Sequence, residues 1–310
     1  MGTFLAILPI FLIIALGYVM RARGVIKASW VKPLNSFVYN VGLPALIVYS
    51  FATLQWKQVL AGRLLGAQVI IVCVVAILAA ICIRALPIKP KEQAAIYLAV
   101  LLGNTVYLGI PLVDSALPGV VTTDVTSITT AVGVVQLILS LLAGLIGLEF
   151  VFSRSRNMGF VARHIIMNPL TLSILVGLVV ALLGWPQWLD RSIGVPLKML
   201  AGTASPLALF ALGSFLYGHT INRKQTHLTL AVGLKLIAAP LVAWCVMVAM
   251  QLYSIDRNIT VLMMSMPTAV TAFVLADTYE LDTTFVASVM MVSTIASVVA
   301  VPVIANLLGL

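Results

Sequence analysis

The chain has 310 residues, of which 62% are hydrophobic and only 9% charged, and its mean hydropathy is +1.16. Soluble domains carry about a quarter charged residues, so this composition excludes a soluble globular protein and describes an integral membrane one. The formal net charge of +9 then reads as basic loops at one membrane face, and no nucleic-acid partner is expected.

With a window of about 20 residues for a spanning helix, ten apolar segments stand out: residues 4–20, 34–54, 64–86, 94–113, 128–152, 169–183, 197–216, 228–252, 259–276 and 284–308. The first lacks the basic start and small-residue cleavage site of a secretory signal, so it is expected to remain as a span. Cys73, Cys82 and Cys245 fall inside apolar runs without metal-ligand spacing and are expected to be buried free thiols. The odd-numbered loops hold thirteen Lys and Arg residues and the even-numbered ones five. That bias places the odd loops in the cytoplasm and both termini outside.

The fourth segment does something that a membrane helix should avoid. It carries Gly103, Asn104, Gly109 and Pro111 within an otherwise apolar run. Proline lacks an N–H and its ring clashes with the preceding turn, and glycine does not support a helix, so the helix is expected to break here. Backbone groups freed at membrane depth cannot face lipid, so the break must be buried in protein or line a water-filled cavity. Asn104 adds two donors and an acceptor beside them.

The ninth segment repeats the pattern with Met266-Pro267-Thr268. Pro44 in the second segment precedes Asn104 by 60 residues, and Pro206 in the seventh precedes Pro267 by 61. The chain therefore reads as two halves, 1–153 and 154–310, with helix breaks at Pro44, Pro206 and the fourth and ninth segments. Five spans per half is an odd number, so the halves enter the membrane in opposite directions. An inverted repeat with interrupted helices in matching positions points to a secondary transporter with a midplane binding site.

The run Gly103-Asn104-Thr105 with Leu108-Gly109-Ile110-Pro111-Leu112, the earlier Gly42-Leu43-Pro44, and Met266-Pro267 leading into Ala272-Phe273-Val274 resemble the auxin efflux carrier family. That family includes the PIN proteins of plants and bacterial organic-acid carriers described as malonate transporters. The resemblance runs over essentially the whole chain, although the large cytoplasmic loop of long PINs is absent. It implies an all-α fold of ten transmembrane helices, like that of bile-acid symporters and sodium/proton antiporters, in a plasma membrane. It further implies crossing fourth and ninth spans and an elevator-like movement. A scaffold part is expected from spans 1, 2, 6 and 7, and a transport part from spans 3, 4, 5, 8, 9 and 10.

Where two helices break and cross, the starts of their second halves offer unpaired N–H groups and partial positive charge, which suit a carboxylate. Asn104, Thr105, Pro111, Pro267 and Thr268 mark that expected substrate site, with Asn104 in direct contact. Tyr107 and Thr271 are further candidates, and Gly103 and Gly109 shape the break. No second Asn stands at the matching point of the ninth span. The substrate class is a small organic anion, either a malonate-like carboxylate or an indole acid. No cofactor or metal is expected, coupling to sodium or protons is left open, and so is a homodimer.

Other polar residues read as structure. Lys235 is expected to snorkel to the cytoplasmic surface, with a role in attracting the anion as the alternative. Glu149 and Asp277 are expected to reach an interface, and Gln136, Thr203 and Ser205 to bond between helices. A cation/proton antiporter or a sodium-coupled symporter of another substrate on the same fold is the alternative, but an antiporter normally wants a midplane carboxylate, and none stands inside spans 4, 5 or 9. No His-Glu-x-x-His motif or paired catalytic acids point to an enzyme.

Overall fold

The computed structural model describes residues 2–53, 62–110, 112–113, 123–152, 166–184, 190–218 and 225–310. Pro111 and the side chain of Tyr107 lie outside the described residues. The described chain is helical, apart from turns, extended pieces and a single isolated β-bridge. The helices are α1 (Gly2–Ala22), α2 (Val31–Phe37), α3 (Leu43–Thr53), α4 (Arg63–Arg84), α5 (Pro90–Leu101), α6 (Thr123–Ile146) and α7 (Pro169–Leu183), followed by α8 (Val195–Leu216), α9 (Gln225–Gly233), α10 (Ala239–Ala249), α11 (Ser254–Met264), α12 (Val270–Thr278) and α13 (Thr283–Leu307).

Among the described residues, six helical stretches are long and apolar enough to cross a membrane: Ala28–Thr53, Arg63–Arg84, Ile128–Glu149, Ser192–Leu216, Thr226–Ala249 and Thr283–Leu307. Their outward faces carry exposed Ile77, Met199, Leu241 and Val299. In water such a belt would be an aggregation surface; in a bilayer it is the lipid-facing side. Cys73 and Cys245 are exposed on these helices and Cys82 is partly exposed, so the expectation of buried thiols fails. An apolar residue at a lipid-facing position has no reason to turn inward.

Several helices contain a π-helical turn, and prolines explain most of them. Four of the five π segments, Val38–Gly42, Thr105–Gly109, Asp190–Gly194 and Leu234–Ala238, end two residues before Pro44, Pro111, Pro196 and Pro240. Proline cannot donate to the carbonyl four residues back. The preceding residue then bonds one step further, as Leu43 N–H does to Val38 O and Ala239 N–H to Leu234 O. Pro206 behaves differently. α8 runs through it without interruption, so the expected break there is corrected: the helix absorbs this proline in place, within the contact that Ala204 makes with Gly42.

Packing is densest in two places. α1 lies along α8, and α3 packs on α7 and α8. Gly17 and Gly213 let the first pair meet backbone to backbone, since a Cβ on either would overlap the carbonyl of Phe210 or Ile14. Small residues are what allow membrane helices to approach this closely. The second assembly links α4, α5, α6, α10, α11 and α13, and α12 joins it to α2 and α8, as α13 does to α1. Residues Ala94 to Leu102 and Val270 to Ala276 are buried on every side. A helix that is apolar all round belongs at a core.

A polar cluster ties the ends of these assemblies together. Asn35 donates to the Asp277 carboxylate at 3.0 Å. Asn168 donates to the hydroxyls of Tyr39 at 2.6 Å and Tyr279 at 2.9 Å, and its Oδ1 caps Leu170 N–H at the start of α7. Asp277 therefore finds a partner inside the protein. Gln136 donates to Gln68, which donates to Thr260, whereas Thr203 bonds only within its own helix, to Leu200 O.

Candidate functional site: the crossing of two broken helices

α5 has 12 residues and α11 has 11. At 1.5 Å per residue these are about 18 Å long, well short of the ~30 Å hydrocarbon core. Each stops at a sequence-encoded break. Leu102 turns extended, with ψ 101°, after α5, and Pro267 ends the turn after α11 before Ala269, with ψ 151°, starts α12.

The two extended pieces cross and pair. Gly103 and Thr268 form an antiparallel bridge, in which Asn104 N–H donates to Pro267 O at 2.9 Å and Ala269 N–H to Leu102 O at 2.8 Å. Backbone groups that proline and glycine free in one broken helix are thus satisfied by the other, as apolar surroundings require. Thr268 braces the crossing twice. Its hydroxyl donates to Ala99 O at 2.7 Å, and its N–H donates to Ser293 Oγ of α13 at 3.1 Å. Thr105 anchors the other arm by donating to Gly133 O of α6 at 2.9 Å. The two threonines hold the site together through hydroxyls already committed to carbonyls.

Asn104 is 6% exposed, and its side chain makes no hydrogen bond among the described residues. Its carbonyl accepts from Leu108 and Gly109 N–H and opens the π turn. Neither that turn nor α12 is capped by a side chain at its start, so two helix N-termini begin beside the bridge with free positive ends. Thr271 stands in the first turn of α12 and is buried. Gly109 is pressed against α11, where a Cβ would come within 2.6 Å of the Met263 sulfur. Phe273 packs edge-on against Phe215 of α8, with ring centroids 5.1 Å apart. Among the described residues, then, the structure brings Gly103, Asn104, Thr105, Pro267, Thr268 and Thr271 to one place. It sets Pro44 and Pro206 apart, at the α3–α8 contact.

Sequence reasoning left one member out of the site and favoured the surface for it. Lys235 is 1% exposed, not at the surface. A Cβ on Gly103 would lie 2.7 Å from its Nζ and 3.3 Å from its Cε, so the ammonium group sits against the bridge. It lies ten residues beyond the start of α9, about 15 Å along the helix and close to half the bilayer core. The π turn at Leu234–Ala238, forced by Pro240, adds an extra residue to the helix. Lys235 belongs to that turn, which packs against α5 and α13. The signal was present in the sequence: a Lys three residues before an Ala-Ala-Pro, at membrane depth. Intramembrane charge is a functional-site hypothesis by default, and π turns frequent functional sites.

Two apolar grooves of about 680 and 570 Å³ flank the outer side of α9 and α10. They are lined by residues such as Leu230, Ile237, Leu241 and Val303, without charge, and do not include the crossing. Among the described residues no cluster of His, Cys, Asp or Glu is arranged to hold a metal ion. His227 faces Glu92 at 3.3 Å, where α9 and α5 begin.

Apolar helices in several passes, two of them broken and cross-paired at buried polar residues, describe a multi-pass membrane protein. The chain belongs to the membrane transport protein family, the auxin efflux carrier or PIN-like family, whose model matches residues 3–305. It is 28% identical to an uncharacterized transporter of Methanothermobacter thermautotrophicus over 314 residues, 97% of each chain. It is 21% identical to an uncharacterized transporter of Methanocaldococcus jannaschii over 304 residues, 95% of each.

Proposed function

We propose that the protein is a secondary transporter of a small organic anion, working by alternating access at the crossing. The carrying observation is the concentration of positive charge there. Two uncapped helix starts and the Lys235 ammonium group surround the Gly103–Thr268 bridge, and among the described residues no carboxylate forms an ion pair with Lys235. Such a site is complementary to an anion and hostile to a free cation. A malonate-like carboxylate or an indole acid is the substrate class, and Asn104 is the neutral donor that touches it. An antiporter would need an ionisable acid at this point. The buried acid among the described residues is Glu92, at the far end of α5 beside His227.

The chain is read as ten spans in two inverted repeats in a plasma membrane, with odd-numbered loops in the cytoplasm and both termini outside. α1, α2, α3, α7 and α8 form the scaffold, and the remaining helices form the part that moves. The dense α1–α8 and α3–α7 packing, against the sparser contacts that join these helices to α12 and α13, supports that division, since a body that slides must hold together internally more firmly than across its seam.

Counterflow in proteoliposomes tests the reading, using labelled malonate and labelled indole-3-acetate with wild type and Asn104→Ala. Accumulation of one label without an imposed ion gradient, lost in the variant, is the expected result. Accumulation of neither, with sodium or a pH gradient also supplied, refutes it.

A further inference from the structure

We propose that the Lys235 ammonium ion is the group that receives the carboxylate of the transported anion. The inference rests on the crossing being the transport site and goes further by assigning its charge. Three observations carry it. Lys235 is the one buried cationic side chain among the described residues. Its Nζ is held against Gly103, a position that any side chain would occupy, so the absence of a Cβ makes room for the ammonium group. Neither a hydrogen bond nor an ion pair satisfies that group among the described residues, while Thr268, Thr105 and Ser293 beside it are committed elsewhere.

A buried ammonium group without a partner is costly, and the amine meets that cost by giving up its proton or by taking a counter-ion. No protein anion pairs with it among the described residues, so a counter-ion that holds the proton in place comes from outside. One carboxylate neutralises the ammonium ion, and the two helix ends beside it, worth about half a charge each, add to the attraction.

The test is thermal unfolding of the purified full-length protein in detergent, at fixed pH and ionic strength, with acetate, indole-3-acetate, malonate, acetamide and indole-3-acetamide. Wild type should be stabilised by acetate, indole-3-acetate and malonate, and not by the amides. Lys235→Met keeps the volume and removes the charge, and should weaken that protection by roughly 10- to 100-fold in half-saturating concentration, the worth of a charge-assisted bond. Lys235→Arg should recover part of it. If Lys235→Met does not purify folded, Gly103→Ala should show the same loss, because the new Cβ takes the space of the ammonium group. Undiminished protection in both variants overturns the assignment, and so does equal protection of wild type by the amides. Counterflow that persists in Lys235→Met at wild-type affinity overturns the inference while leaving the carrier reading standing. Neither protection nor counterflow in wild type overturns both.

Discussion

Thr268→Val isolates what the crossing contributes to stability. The residue is 1% exposed and its hydroxyl donates to Ala99 O at 2.7 Å. Ala99 lies two residues before the end of α5, and its α-helical partner would be the N–H of Gly103, which has left the helix to enter the bridge. Valine has nearly the same shape, so the substitution leaves the carbonyl buried and unpaired and creates no cavity. An orphaned buried acceptor costs about 1–3 kcal/mol in soluble proteins. Hydrogen bonds between membrane helices average nearer ~0.6 kcal/mol, because the unfolded chain in the membrane also finds partners. Ala99 is enclosed by α13 and α12 with no spare donor from the bridge, so the upper part of that second range applies, about 1.5 kcal/mol. Unfolding in mixed micelles should show that loss for Thr268→Val and a much smaller one for Thr268→Ser, which keeps the hydroxyl. A loss below about 0.5 kcal/mol for valine would refute the claim that Thr268 braces the crossing.

Gly213→Val should cost roughly 1–3 kcal/mol by prying α1 from α8, where the backbone of Ile14 occupies the space of its side chain; thermal unfolding in detergent measures it. Asn168→Ala removes the cap of α7 and the donor shared by Tyr39 and Tyr279, and a loss of about 1–2 kcal/mol is expected, with anion protection unchanged. Burial, together with Tyr39 alongside, pushes the Tyr279 phenol above its ordinary range, so it stays protonated, and this cluster should contribute equally at neutral and mildly alkaline pH in the same unfolding assay. Met263→Ala relieves the contact at Gly109 but opens a cavity beside the π turn; it should lower stability by about 2–5 kcal/mol, as truncation of a buried Met does.

Much of this molecule is written in one dimension. The membrane class follows from hydropathy, because lipid imposes a length and a composition on each helix independently of its neighbours. The breaks at Gly103–Asn104 and at Pro267 follow from proline and glycine chemistry, which acts within a few residues. That they require buried partners also follows, since membrane depth offers no water.

Tertiary structure decided the rest. Pro206 and Pro240 look alike as letters, yet α8 passes through the first while the second forces a π turn. The outcome depends on whether a neighbouring helix accommodates the displaced backbone. Thr105 and Thr268 are identifiable as site residues from their position, but whether their hydroxyls face a substrate or a carbonyl depends on Gly133 and Ala99 in other segments. Lys235 shows the limit most clearly. Its depth is countable from the sequence, but a long side chain can reach either surface or core. Its direction was fixed by a bare glycine 132 residues earlier in the chain, a proximity that exists only once the helices are packed.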